Sequence, residues 1–210
     1  SSLKNNANFK PSLNVIYNEI SYTEKIRKSK SDTQEKKIVR IAFIGELHPR
    51  KGVDVLINSL RFIKNPCELI LVGSGKSSGY ESKLHLLAQK QQWKTRFIGL
   101  VESVEGYYPS FDVVVLPSVE FESFGMILVE AMSYSIPVVC SDFGGMKEVV
   151  KDGLNGYVVP ANSSALLGGK LDYLVANPDI RVNMGVAGKN RVLKKFTASL
   201  MVKNYKKMCN

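Results

Sequence analysis

Two glutamates, Glu122 and Glu130, stand with seven residues between them in ESFGMILVEAM. The stretch between them holds a glycine, Gly125, and then a mostly apolar run. That run predicts a helix opening near Gly125, with Glu122 in the loop before it and Glu130 about a turn and a half inside. A carboxylate among apolar neighbours is unfavourable unless something pairs with it. A helix that starts at Gly125 leaves the amides of Gly125, Met126 and Ile127 accessible, and free amides at a helix start suit a diphosphate. Glu130 can then accept two hydroxyls of a ribose, because a vicinal diol matches a carboxylate. Glu122 can face a polyhydroxylated group on the far side of the diphosphate. Taken singly, a salt bridge explains Glu130 and a loop acid near a helix start explains Glu122. Together, on one strand-loop-helix unit, they point to a sugar nucleotide.

Two further loops could serve the same chemistry. In GELHPRKG, residues 45–52, Gly45 allows a sharp turn and a close ligand approach. Arg50 and Lys51 follow, near the start of the next helical stretch, and make a phosphate grip. An ordinary solvated loop accounts for this segment equally well. In VGSGKSSG, residues 72–79, Gly73, Gly75 and Gly79 fit neither the P-loop nor the dinucleotide fingerprint. A flexible strand-to-helix turn explains that spacing better.

The elements that must position these loops alternate regularly. IVRIAFIG (38–45), ELILVGSG (68–75), TRFIGLV (95–101), DVVVLPS (112–118), IPVVCSD (136–142) and KDGLNGYVVP (151–160) read as strands or turn-plus-strand. Their continuous apolar runs suit strands buried on both faces. Helical spacing lies between them: Val53, Leu56, Ile57, Leu60 and Ile63 form one stripe, and Leu84, Leu87 and Ala88 another. ESVEGYYPSF predicts a short helix closed by Pro109. Residues 163–207 predict two or three helices. The fold class is therefore α/β: a Rossmann-like, doubly wound parallel sheet with C-terminal helices, binding ligands beyond the carboxyl ends of its strands. Residues 1–36 read as a charged linker around the strand-like NVIYNEI (14–20). Residues 37–195 read as the nucleotide-sugar domain and 196–210 as a C-terminal helix.

Composition narrows the function classes. The chain has 210 residues, is 44% hydrophobic and carries a formal charge of +10. No apolar run approaches the roughly 18 residues that a membrane span needs, and SSLKNNANFK is no secretory signal. The chain lacks an initiator Met and reads as an excised piece of something longer. Three cysteines, Cys67, Cys140 and Cys209, fit a reducing cytosol better than a disulfide scaffold. Two histidines, His48 and His85, argue against a histidine metal site. The basic excess fits a lysine-rich surface, or attraction to anionic ligands or an anionic membrane face. No basic stripe interleaves with aromatics, so nucleic acid is disfavoured.

A family resemblance rests on specific residues. Phe43-Ile44-Gly45 with Lys51-Gly52, Leu71-Val72-Gly73-Ser74-Gly75, Phe97-Ile98-Gly99, and Pro117-Ser118 leading to the spaced glutamates are its marks. Ile136-Pro137-Val138-Val139, Ser141-Asp142-Phe143-Gly144-Gly145 with Glu148, and Asp152-Gly153-Leu154-Asn155-Gly156 follow. The chain resembles the C-terminal, donor-binding half of a retaining GT-B-fold glycosyltransferase of group 1 (family 4), with its E-x7-E motif. The resemblance implies that Lys51 holds the diphosphate, Glu130 the nucleotide ribose, and Glu122 the donor sugar beside the reacting carbon. It puts Phe97 in the segment against the base, with Ser123 and Phe124 inside the donor loop. It implies a nucleoside diphosphate sugar as donor, no metal, and retention of anomeric configuration. It makes NVIYNEI, within residues 1–36, the end of the crossover segment between two halves, and implies an N-terminal acceptor half missing from this chain and work in polysaccharide or glycoconjugate synthesis. Apart from the resemblance, the sparse cysteines fit a cytoplasmic place, and the basic surface with KKFTASLMVKNYKK fits either peripheral contact at the inner membrane face or a terminal helix with its lysines in water. Two positions depart from the family pattern: Glu46 stands where Arg is common, and Ser135 where Gly is common. Glu46 keeps open a non-catalytic nucleotide-sugar module or degenerate subunit. Another GT-B enzyme, such as an epimerase, is disfavoured by the paired glutamates.

Overall fold

A computed structural model describes residues 38–75 and 78–209. The strands are β1 (Val39–Ile44), β2 (Cys67–Val72), β3 (Lys94–Gly99), β4 (Val113–Leu116), β5 (Val138–Ser141) and β6 (Gly156–Val159). They form one six-stranded sheet in the order β3-β2-β1-β4-β5-β6. Every pairing between neighbours is parallel. The helices are α1 (Val53–Ser59), α2 (Ser78–Gln89), α3 (Met126–Ser133), α4 (Met146–Val149), α5 (Ser164–Ala176), α6 (Pro178–Lys195) and α7 (Ala198–Cys209). The all-parallel alternation follows from strands such as β4 and β5, whose residues are buried throughout and need cover on both faces. The core joins Ile41, Phe43, Leu69 and Leu71 of the sheet to Leu56, Leu128, Val129 and Leu171 of the helices, all fully buried.

The chain builds outward from β1 through β2 to β3, then returns to the other side of β1 to lay down β4, β5 and β6. Its direction therefore switches between β1 and β4. In an open parallel sheet, this switch leaves a crevice at the carboxyl ends, because the loops on either side diverge. Ile44 and Leu116 close the two strands at that crevice.

Two expected elements differ in detail. The stripe from Val53 to Ile63 forms α1 and then a 3₁₀ turn at Leu60–Phe62. ESVEGYYPSF forms only a 3₁₀ turn at Tyr108–Ser110, with Pro109 in its opening positions rather than at its close. A first turn has no use for the N–H that proline lacks, so proline starts the turn instead of stopping it. The final stretch contains α5, α6 and α7, and the fully packed Phe196 marks the break between the last two. NVIYNEI lies outside the described residues.

Candidate functional site

The loop from β1 to α1 is held from two sides. Leu47 N–H donates to the Ser74 carbonyl at 3.1 Å, tying it to the β2 loop. Val119 N–H donates to the Arg50 carbonyl at 2.9 Å, tying it to the β4 loop. Gly52 adopts φ 65°, and a Cβ there would lie 2.1 Å from the Pro117 carbonyl oxygen. Only glycine permits that approach, and the approach sets Lys51 against the segment carrying Glu122. Lys51 Nζ donates to Glu122 Oε2, and Ser118 Oγ donates to the same oxygen at 3.3 Å. The Lys51 and Glu122 side chains are 15% and 12% exposed, so water screens this pair weakly. Beneath Glu122, Gly144 sits at φ 54°, where a Cβ would stand 1.9 Å from the Glu122 carbonyl oxygen. Gly145 N–H donates to that carbonyl at 3.3 Å. The backbone of Glu122 thus rests on a glycine floor.

Gly125 caps α3 at φ 75° and has no side chain with which to satisfy the first amides. Leu128 N–H donates to the Gly125 carbonyl at 2.8 Å, while the amides of Met126 and Ile127 ahead of it have no partner inside the helix. A cavity of about 240 Å³ opens here, lined by Ile44, Lys51, Leu116 and residues 122–127. Its chemistry is that of an anion site: one ammonium, one helix start, and a carboxylate that holds the ammonium in place.

A second cavity, of about 470 Å³, lies on the other side of Ile44. Backbone and hydrocarbon make most of it: Gly45, Gly73, Val72, Leu100, Val101 and Val104. Gly73, at φ 130°, would carry a Cβ only 2.0 Å from the Gly45 carbonyl oxygen, so the first two loops touch main chain to main chain. Glu46 also lines this cavity. Its carboxylate lies 3.6 Å from the Arg50 guanidinium, which offsets part of its charge.

Glu130 is half-buried, one turn beyond Met126 and Ile127 on the partly exposed face of α3. Its Oε2 accepts from Tyr108 Oη at 2.7 Å. The fold therefore supplies this acid with a phenol as its pairing partner. Burial, and then the neighbouring Glu130 charge, push the Tyr108 ionisation well above the ordinary tyrosine value. Burial also pushes the Cys67 and Cys140 thiols up to about 12, so neither is a nucleophile at neutral pH. Among the described residues, no group of three or more His, Cys, Asp or Glu is arranged to hold a metal. No helix among them is long and apolar enough to cross a membrane.

The candidates from sequence divide between these places. Lys51, Glu122, Ser123, Phe124, Gly125, Met126 and Ile127 line the smaller cavity. Gly45 and Gly73 line the larger. Arg50 and Glu130 line neither: Arg50 is engaged with Glu46, and Glu130 with Tyr108. Phe97 points elsewhere: it stacks on His85 at 3.8 Å and lines a separate cavity with Trp93 and Gln91 beside the edge strand β3. From the same segment, Leu100 and Val101 reach the large cavity instead. Tyr108 drew no role from sequence, and Ser118 figured only in the Pro117-Ser118 mark. Ser118 had a signal, the Pro-Ser closing β4; Tyr108 had none, since no spacing rule links it to Glu130.

Comparison with known proteins is consistent with this geometry. The family profile of glycosyl transferases group 1 matches residues 22–191. An uncharacterized glycosyltransferase of Methanocaldococcus jannaschii is 32% identical over 198 residues, covering 87% of this chain and 50% of the relative. A phosphatidyl-myo-inositol mannosyltransferase of Mycobacterium leprae is 34% identical over 158 residues, covering 72% of this chain and 41% of the relative. The chain thus spans about half the length of the curated relatives it matches. The crystal structure of Anabaena HepE in complex with UDP and glucose superposes with a TM-score of 0.81 at 21% identity, over 93% of this chain and 56% of that one. That likeness extends to the fold.

Proposed function

The chain belongs to the glycosyl transferases group 1, and from that premise we propose that it is the donor-binding half of a retaining transferase, moving a sugar from a nucleoside diphosphate to an acceptor hydroxyl. The observation that carries this reading is the convergence of Lys51, Glu122 and the uncapped start of α3 on one cavity at the sheet's switch point. A diphosphate entering there competes with Glu122 for the Lys51 ammonium. The released carboxylate is then free to accept hydroxyls of the donor sugar. As the bond from the anomeric carbon to the phosphate oxygen breaks, negative charge grows on the diphosphate. Lys51 and the α3 amides face that charge and act mostly in the transition state. A bond to the acceptor oxygen replaces the broken one, and the acceptor's proton passes to the departing phosphate oxygen. These groups supply the charge stabilisation that other sites draw from a divalent cation, and we assign the site no metal. The larger cavity, walled by hydrocarbon and main chain, takes the flat base. That HepE was crystallised with UDP and glucose supports a donor of this class.

The acceptor site belongs to the part of the protein beyond this chain, so transfer is assigned to the full-length protein. Glu46 favours a second reading, a module that binds a nucleotide sugar without transferring it, because an acid in an anion cleft weakens the grip. Its pairing with Arg50 limits that effect. Calorimetry of this chain with UDP, GDP and ADP tests donor binding, and binding of none of them overturns both readings. A full-length assay with Glu122→Ala separates transferase from module. Equal transfer by variant and parent removes the role given to Glu122.

The basic excess and exposed lysines of α7, such as Lys203, extend the proposal to contact with an anionic membrane face. Vesicle sedimentation with and without anionic lipid tests it, and indifference to lipid charge removes it.

A further inference from the structure

We infer that Tyr108 is a positioning residue for donor recognition: its phenol holds the Glu130 carboxylate in the one orientation that accepts a ribose diol. This rests on the donor reading above, in which Glu130 grips the ribose.

A glutamate on a helix surface turns about three side-chain bonds, and a free one points in many directions. Here one oxygen is fixed. Tyr108 Oη donates to Oε2 at 2.7 Å, and no other described residue donates to Glu130. The donor itself cannot shift. Tyr108 is 1% exposed, stacks on Tyr134 at 4.8 Å and 17°, and meets the Phe111 ring edge-on at 6.2 Å. Its main chain is tied into the 3₁₀ turn by Phe111 N–H donating to the Tyr108 carbonyl at 3.0 Å. Because the phenol stays protonated throughout the working pH range, it donates and never repels the carboxylate.

The bond also leaves the acid able to work. A carboxylate offers about four lone-pair directions, and the phenol uses one. Oε1 remains open, and Oε2 retains a second lone pair, so two adjacent hydroxyls can still be accepted. The same loop forms the wall beside the ligand. Val104 lines the large cavity, and its carbonyl accepts Tyr107 N–H at 2.9 Å. A single short segment therefore carries both an apolar wall for the base and the phenol that aims the acid at the sugar attached to it.

A merely structural tyrosine would stabilise the fold without affecting which sugar is preferred. The test is therefore a ratio. Calorimetry on this chain measures the affinity for whichever of UDP, GDP and ADP binds, and for its 2′,3′-dideoxy counterpart. The parent is expected to prefer the ribose form by about tenfold or more, as hydrogen bonds to a charged group do. Tyr108→Phe keeps the stacked ring and removes only the hydroxyl. It is expected to reduce that preference to roughly threefold or less, with affinity for the dideoxy form unchanged as the internal check on folding. Replacement of Tyr108 by 3-fluorotyrosine keeps ring and donor, and should hold or raise the ratio even where Tyr108→Phe fails to fold. Loss of the preference in Glu130→Gln but not in Tyr108→Phe overturns this inference and leaves the donor reading standing. A drop of the ratio in the 3-fluorotyrosine protein overturns it equally. A full preference in Glu130→Gln overturns the role of Glu130 and this inference with it.

Discussion

Ile44 divides the cleft into two halves of opposite character. Above β1, β2 and β3, the walls are main chain and hydrocarbon, and the loops touch through Gly45 and Gly73 with no room for a Cβ. Above β4, the site is made of charge: Lys51 on Glu122, beside the open end of α3. The first half can recognise a flat, apolar group by its shape, and the second an anion by its field. The two therefore respond differently to substitution. In the charge half one side chain carries much of the effect. In the shape half it is spread over several weak contacts.

Lys51→Ala should have the largest effect on donor binding. It removes the ammonium from the smaller cavity and should weaken nucleoside diphosphate binding roughly 10- to 100-fold, the usual worth of a charge-assisted hydrogen bond. It also leaves Glu122, only 12% exposed, without its cation, which should cost about 1–3 kcal/mol of stability. Val101→Ala in the other half should cost only a few-fold in affinity, about one or two methylenes of contact. Comparable losses for the two variants, read by calorimetry, would erase the distinction between the halves.

Gly144→Ala comes next and asks whether the charge half depends on its backbone. At φ 54° a Cβ is strained in itself, and here it would also meet the Glu122 carbonyl at 1.9 Å. The main chain under Glu122 must move, and a displacement of that order is expected to reduce full-length transfer about 100-fold. Transfer kept within twofold would mean that Glu122 need not be held so closely. Glu46→Gln is the smaller, opposite change, in the shape half. It deletes an acid about a third exposed and paired with Arg50, so nucleoside diphosphate should bind roughly two- to fivefold tighter. Weaker binding would show that the Glu46 carboxylate itself touches the donor.

The same contrast decides what could be read in the sequence. The six strands were legible because burial on both faces demands continuous apolar runs, as in VVVL of β4. The charge half was legible in part: Glu122 and Gly125 share one strand-loop-helix unit, whereas Lys51 alone read equally well as part of a solvated loop. The shape half was not, since Leu100 and Val101 are ordinary aliphatics and the contacts there are largely main chain. Phe97 shows why: β3 is half-buried, its alternation is weak, and nothing in TRFIGLV says which face turns toward α2. The Tyr108–Glu130 bond joins residues 22 apart through tertiary packing, beyond any local period. Glu46 was conspicuous as an acid, but its pairing with Arg50 depends on a 3₁₀ turn capped by His48, which the sequence did not announce.

The smallest effect is expected at the far end of α3, where the helix stops in a Schellman turn. Ile136 N–H donates to the Ala131 carbonyl at 3.2 Å and Ser135 N–H to the Met132 carbonyl at 2.9 Å. Ser135 itself stands at φ 57°, in the position that glycine favours. A left-handed residue with a Cβ carries about 1–2 kcal/mol of strain. Glycine would relieve it but loses about 0.5–1 kcal/mol to the freedom of the unfolded chain. Ser135→Gly should therefore stabilise the protein by about 0.5–1 kcal/mol, a rise in Tm of roughly 2 °C for a domain this size, read by calorimetric melting. Donor affinity should not move, because Lys51, Glu122 and the opening of α3 lie at the other end, Tyr108 holds the Glu130 carboxylate, and the fully buried Leu128, Val129 and Met132 fix the helix to the sheet. A shift in affinity together with Tm would mean that α3 transmits strain from one end to the other. In that case Lys51 and Glu122 would be set by the whole helix rather than by the glycines around them.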